Sequence, residues 1–79
     1  QYDFASLNEF IDFSKNQGLT HIIADKNPNR PEFLKDVFNN EEKFPYLIKI
    51  YDSSEQGYEY HLKIFRIDYE KFQPMTEFN

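Results

Sequence analysis

One segment of the chain comes close to a metal-binding pattern. Asp25, Asn27 and Asn29 follow the D-x-N-x-N spacing that opens a calcium-binding loop, and Asp36 stands where the closing carboxylate would lie. Arg30, however, occupies the position at which the sharp turn of such a loop requires glycine. The pattern therefore favours a turn rich in Asx side chains leading into a helix, and we expect no bound metal or cofactor.

The same polar residues come directly after a predicted strand. In open α/β sheets, ligands bind just outside the carboxyl ends of the strands. Asp25, Asn27, Asn29 and Arg30 are therefore candidates for lining a polar binding crevice. This expectation rests on an analogy between folds.

A second set of candidate binding residues is aromatic. The chain has nine Phe and six Tyr, and aromatic residues make up 19% of it. Tyr51, Tyr58 and Tyr60 fall on a predicted hairpin, where tyrosine rings stack on sugars or on partner proteins. Cross-strand tyrosine pairs also stabilise sheets, and this structural role is the alternative interpretation.

Catalytic groups are few. His21 and His61 could each act as a general base, but no serine or acid is spaced to suggest a triad. Two glycines are too few for a Gly-rich phosphate loop, and the absence of cysteine excludes disulfides, Cys-bearing zinc sites and a thiol nucleophile. We therefore expect the chain to contribute no catalytic residue.

The charge balance argues against nucleic acid as a partner. Fourteen acidic residues against nine basic ones give a net charge of −5, and the basic residues are scattered rather than clustered as phosphate backbones require. The same balance disfavours an anionic membrane surface. No apolar run approaches the roughly 20 residues that span a bilayer, so this segment is not expected to insert directly into a membrane.

The first half of the chain predicts a helix, a strand and a second helix. Ser6 and Glu9 form a capping box that begins a helix over 7–17, and Gly18 fits its left-handed end. Residues 19–25 are apolar on both faces, which is typical of an interior strand. A helix that leads into a buried strand is like the second half of a βαβ unit, so we expect the sheet to include a strand upstream of residue 1. Pro31 at the first helical position then predicts a helix over 31–40, with Arg30 as its N-cap.

The second half predicts an antiparallel hairpin, with strands over 46–52 and 58–67. Tyr69 and Phe72 are expected to dock on the domain, and 73–79 to form a flexible tail. The element order α-β-α-β-β predicts an α/β or α+β fold in one small domain over 1–72. Its small mixed β-sheet would be covered by two helices.

Four segments also carry a resemblance to a known family. They are Gly18–Asp25, Asn29–Leu34, Glu42–Leu47 and Tyr60–Tyr69. Together they resemble the soluble C-terminal domain of archaeal multi-pass membrane glycosyltransferases of the protein-mannosyltransferase type (glycosyltransferase family 39-like). The resemblance spans most of 6–72 and implies a parent protein that performs lipid-linked sugar chemistry, with this domain outside the membrane. In that family the catalytic acids belong to the membrane-embedded part, so none is carried over to this chain.

Three functional hypotheses follow from these observations. The preferred one is a non-catalytic accessory domain of a membrane-bound glycosyltransferase, which packs against its parent or binds a glycan or protein acceptor, with the polar crevice and the hairpin tyrosines as candidate surfaces. The domain would then be membrane-associated through the parent, on the extracytoplasmic face. A free-standing protein-interaction module that uses its aromatic hairpin is the alternative. A small metal-binding or hydrolytic domain is the third, and it predicts that calcium, zinc or magnesium raises the melting temperature.

Overall fold

The computed structural model describes residues 4–72 and confirms the predicted order of helices and strands. Two helices and a three-stranded sheet form a small α+β fold. The helices are α1 (Leu7–Gln17) and α2 (Glu32–Asn39), the strands are β1 (His21–Asp25), β2 (Leu47–Asp52) and β3 (Leu62–Ile67), and 3₁₀ turns cover Glu41–Lys43 and Ser53–Gln56. No helix among residues 4–72 has the length and apolar character needed to cross a membrane.

Helix α1 has the bounds that its sequence predicts. The hydroxyl oxygen of Ser6 accepts a hydrogen bond from the Glu9 amide at 3.2 Å. The Glu9 carboxylate accepts from the Ala5 amide, one residue earlier than an ideal capping box. Gly18 ends the helix with a φ of 75°, a left-handed conformation that an L side chain would strain. These local contacts explain why this element is predictable from sequence.

The sheet order corrects the prediction for the first strand. The strands lie in the order β1-β3-β2 and all pairs are antiparallel, so β1 lies at an edge of the described sheet instead of in its interior. Ile22 and Ala24 are buried, but Ile23 is 56% exposed on the other face. The described sheet is thus antiparallel rather than mixed. An upstream strand could pair only at an outer edge of the described sheet, formed by β1 or by β2, and its existence stays a prediction.

Helix α2 begins one residue later than predicted. Its N-cap is Pro31, with no side-chain capping bond, instead of Arg30. The guanidinium of Arg30 could not cap the helix, because it only donates hydrogen bonds and the first helical amides need an acceptor; it binds Asp25 instead. The exchange costs little, since proline has no amide hydrogen to satisfy.

The hairpin is confirmed, but β3 is shorter than predicted. Asp52 caps the following 3₁₀ turn by accepting from the Ser54 amide at 3.0 Å. Ser53 then holds the returning chain: its hydroxyl donates to the Tyr60 carbonyl at 2.7 Å and accepts from the Leu62 amide at 2.8 Å. Tyr58 and Tyr60 therefore lie on the connection and not on the strand.

The core lies between the helices and one face of the sheet. Phe65, in the central strand, is 1% exposed. The docking predicted for Tyr69 and Phe72 is confirmed, because the Tyr69 hydroxyl donates to the Leu19 carbonyl at 2.7 Å and Phe72 joins the core. The tail predicted over 73–79 lies outside the described residues. The buried apolar residues are Leu7, Ile11, Ile22, Ala24, Val37, Phe38, Leu47, Phe65, Ile67 and Phe72.

Candidate functional site

The loop after β1 is organised by an ion pair between Asp25 and Arg30. The Arg30 Nε and Nη2 atoms donate to Asp25 Oδ1 and Oδ2, each at 2.9 Å, in the bidentate geometry that makes such pairs strong. The Asn27 amide donates to Asp25 Oδ1 at 3.2 Å, and Asn27 Oδ1 accepts from the Asn29 amide at 2.9 Å. The structure thus brings together the four polar residues that sequence analysis selected.

Tyr60 joins this ion pair from the connection that precedes β3. Asp25 pairs with Leu62 in the sheet, which places Tyr60, two residues before Leu62, beside the carboxylate. Arg30, the Asn27 amide and Tyr60 together lower the pKa of Asp25 from 3.8 to about 2, with the bond from Arg30 as the largest cause. Partial desolvation and the nearby Asp25 charge raise the pKa of Tyr60. At neutral pH the Asp25 carboxylate is therefore ionised, with its charge balanced by Arg30, and it lies next to the protonated phenol of Tyr60.

A cleft of about 360 Å³ opens next to the ion pair, between this loop and α2. Its volume lies within the range of small-ligand sites. Phe38 and Pro28 supply apolar surface, and the lysines and asparagines supply hydrogen-bonding groups. Of the four residues predicted to line a crevice, Asp25 and Asn27 line this one, whereas Asn29 and Arg30 do not. The lining residues of this β1 cleft are Asp25, Lys26, Asn27, Pro28, Lys35, Phe38 and Asn39.

The other two tyrosines selected from the sequence lie elsewhere. Tyr51 is half-buried in β2, and it pairs with Ile64 on the face of the sheet that carries the exposed Ile23. Tyr58 is 65% exposed on the connection before β3. The structure therefore does not place Tyr51 at the β1 cleft, and a binding role for either residue stays a prediction.

A second polar cluster was not anticipated. Glu41 accepts from the Lys63 ammonium at 2.6 Å and lies 3.0 Å from that of Lys49. Asp52 lies 3.2 Å from the Lys49 ammonium and 2.8 Å from His61 Nε2. We call Glu41, Lys49, Asp52, His61 and Lys63 the polar network.

A β-bulge assembles this network. The register shifts between Lys49 and Tyr51, so that Lys49 pairs with Phe65 whereas Asp52 pairs with Lys63. Side chains of a regular strand alternate between faces, and Lys49 and Asp52 would then point to opposite faces. The extra residue, Ile50, restores Asp52 to the face of Lys49. His61 and Lys63 are only partly exposed, and each is paired with an acid.

With the neighbouring Ser54, Asp52 and His61 of the polar network have the residue types of a hydrolytic triad but not its connections. In a triad the serine hydroxyl contacts the histidine, whereas the Ser54 hydroxyl donates to Asp52 at 2.7 Å. This bond, together with those from the Ser54 amide, Lys49 and His61, holds the pKa of Asp52 well below its usual range. Among residues 4–72, no buried side-chain nitrogen or oxygen lacks a hydrogen-bond partner. The polar network therefore has a structural role: its ion pairs join the first 3₁₀ turn to β2 and β3.

The calcium-loop pattern has its carboxylates committed to other partners. Asp25 binds Arg30, and Asp36 accepts from the Asn40 amide group at 2.6 Å and from the Lys43 ammonium at 3.1 Å. Within residues 4–72, no three His, Cys, Asp or Glu side chains are grouped so that they could hold a metal ion.

Comparison with protein-family models, with curated proteins and with solved structures finds no match to this chain.

The Asp25–Arg30 pair predicts a specific pH dependence of stability. The folded-state pKa of Asp25 is about 2, below the reference value of 3.8, so its contribution is present above 3.8 and is lost as the pH falls toward 2. Urea unfolding at several pH values should show wild type more stable than Asp25→Asn at neutral pH, with the difference shrinking through this acid window. Arg30→Gln should weaken the same pH dependence, because it removes the largest cause of the lowered pKa. A difference that grows on acidification would contradict this assignment.

Proposed function

We propose that this chain is a non-catalytic accessory domain of a larger membrane-bound glycosyltransferase, and that the β1 cleft, together with the adjoining exposed surface of Tyr60 and Arg30, helps to hold the glycan acceptor. In this proposal the domain lies on the extracytoplasmic face and is associated with the membrane through its parent protein. The four segments that are similar to glycosyltransferase family 39-like proteins support the parent class. The geometry of the β1 cleft supports the ligand class.

The observation that carries the glycan proposal is the exposed aromatic ring beside a fixed polar pair. Tyr60 is 54% exposed, and Arg30 is 45% exposed while two of its donors bind Asp25. A sugar has C–H faces that pack on an aromatic ring, and it has hydroxyls that form hydrogen bonds with planar polar groups. Tyr60 supplies the first kind of surface, and the guanidinium, which has further N–H donors, supplies the second.

The protonation states favour binding over acid–base catalysis. A catalytic general acid or base works best when its pKa lies near the working pH. The pKa values of Asp25 and Asp52 are instead lowered by their partners. Both carboxylates are thus ionised and held by hydrogen bonds at neutral pH, which suits a structural or binding role.

Binding of a short oligomannoside tests the proposal. We expect saturable, weak binding to the wild-type chain, and about fivefold weaker binding to Tyr60→Ala, because one aromatic contact contributes about 1 kcal/mol. Tyr58→Ala is the matched control, since it removes an exposed phenol from the same connection and should leave the affinity unchanged. Calorimetric or NMR titrations give the dissociation constants. Equal losses in both variants, or no saturable binding to wild type, would argue against glycan recognition at this site.

The alternative function is a protein-interaction module that uses the aromatic connection. The 65% exposure of Tyr58 favours it, since exposed tyrosines are common contact residues in interfaces. The two variants separate the hypotheses. An interaction module requires that Tyr58→Ala weakens capture of a protein partner, whereas the glycan proposal assigns the larger loss to Tyr60→Ala.

A further inference from the structure

The outer edge of β1 presents backbone groups that the described sheet does not use. The Thr20 carbonyl accepts from the Ile67 amide at 2.8 Å, which fixes the phase of the β1–β3 ladder. Hydrogen-bonded pairs alternate along an antiparallel ladder. The amides and carbonyls of His21, Ile23 and Asp25 therefore point away from β3, and no strand among residues 4–72 pairs with them.

The two edges of the sheet differ in how well they are protected. The edge formed by β2 is interrupted by the bulge at Ile50 and carries the side chain of Lys49, two features that discourage strand addition. Strand β1 has a regular register with β3 throughout its length. The regular edge is thus the better template for another strand.

The β1 sequence is complementary to itself in one antiparallel register. If Ile23 pairs with Ile23 of a second copy, His21 of each copy lies opposite Asp25 of the other. All three residues have outward-facing backbone groups, so this register forms about six hydrogen bonds. A register shifted by one residue would place inward-facing groups at the contact and lose these bonds.

The side chains favour the same register. Ile23 is 56% exposed and is the end of a cross-strand row that continues through Ile64 to Tyr51. Pairing of two copies places the two Ile23 side chains together, so the two rows become one apolar strip. Opposite Asp25, a His21 imidazole is better placed than an acidic side chain. The net charge of −5 on each copy opposes association, and salt screens this repulsion.

We infer that two copies of this chain associate through antiparallel pairing of β1 with β1, centred on Ile23, so that their two sheets become one. This interface does not require glycan binding, because it uses the outward-facing backbone groups of β1; Asp25 is the one residue of β1 whose side chain also lines the β1 cleft.

Sedimentation equilibrium of the 79-residue chain over a range of concentrations tests the inference. Wild type should show a monomer–dimer equilibrium that tightens as salt is added. Ile23→Lys should weaken the dimer by about tenfold or more, because it brings two ammonium groups together at the centre of the interface. Ile50→Lys is the matched control: Ile50 is 53% exposed on the other edge strand, and its substitution should leave the dimer intact.

Two further readouts locate the contact. His21→Glu should weaken the dimer because it faces Asp25 of the second copy, whereas His21→Lys should not. Amide exchange of Ile23 should slow as the protein concentration rises, since this amide is bonded only in the dimer. A wild-type chain that stays monomeric at all concentrations, or a dimer that Ile50→Lys disrupts and Ile23→Lys does not, would overturn the inference.

Discussion

Replacing Phe65 by alanine should destabilise the domain by about 3–5 kcal/mol, the usual cost of removing a buried aromatic ring. Phe65 is 1% exposed and lies in the central strand, where it pairs with Ile22 on one side and with Lys49 on the other. A domain of this size has a free energy of unfolding at the lower end of about 5–15 kcal/mol. In Phe65→Ala, urea unfolding monitored by circular dichroism should therefore show little or none of the cooperative unfolding transition of wild type.

An exposed isoleucine provides the control for this experiment. Ile50→Ala removes apolar atoms from a side chain that is 53% exposed, so we expect a change within about 0.5 kcal/mol. The comparison tests the sheet order directly, because only a central β3 buries Phe65 from both sides. A small effect at Phe65 would mean that β3 is not the central strand.

Replacing Lys63 by methionine should cost about 2–4 kcal/mol, the range for breaking a largely buried, hydrogen-bonded ion pair. The Lys63 side chain is 12% exposed, and its ammonium donates to the Phe38 carbonyl at 2.7 Å and to Glu41 at 2.6 Å. The same ammonium lies 4.6 Å from the centre of the Phe38 ring, a favourable cation–π distance. Methionine keeps the apolar stem but leaves the Phe38 carbonyl without this donor and leaves Glu41 with Lys49 as its remaining lysine partner.

A double-mutant cycle separates the ion pair from the packing. Lys63→Met combined with Glu41→Gln should cost less than the sum of the single changes, because the second change removes a charge that the first deprived of one of its two lysine partners. Lys43→Met is the control, since Lys43 is 58% exposed and its surface pair with Asp36 should contribute about 0.5 kcal/mol or less. Urea unfolding of wild type, the two single variants and the double variant gives the coupling energy between Lys63 and Glu41. Equal losses for Lys63→Met and Lys43→Met would show that the polar network does not stabilise the fold.

Local signals in the sequence explain which elements were predictable. Helix α1 is bounded by Ser6 and Gly18, which act within a few residues of the positions they cap. The position of β1 in the sheet depends instead on pairing with β3, about 40 residues away along the chain. The apolar sequence of β1 fits an interior strand, and nothing in it indicates that Ile23 is exposed at an edge.

The candidate site was predictable only in part, for the same reason. Asp25 and Arg30 are close in sequence, so a polar loop at the end of a strand brings them together. Tyr60 reaches them through the pairing of Asp25 with Leu62, which the sequence does not specify. The polar network escaped prediction because the bulge at Ile50 changes the face of Asp52. A lysine and an acid within an otherwise apolar strand were the available signal.

We propose that the β1 cleft, beside the Asp25–Arg30 pair, receives a glycan. Amide and side-chain NMR spectra of the chain, recorded during titration with an oligomannoside, test it most directly. We predict saturable shift changes confined to the loop over 25–30, the neighbouring part of α2 and Tyr60, with the sugar recovered chemically unchanged. Changes that map to the polar network around His61, or an oligomannoside that is cleaved during the titration, would contradict a non-catalytic glycan-binding domain.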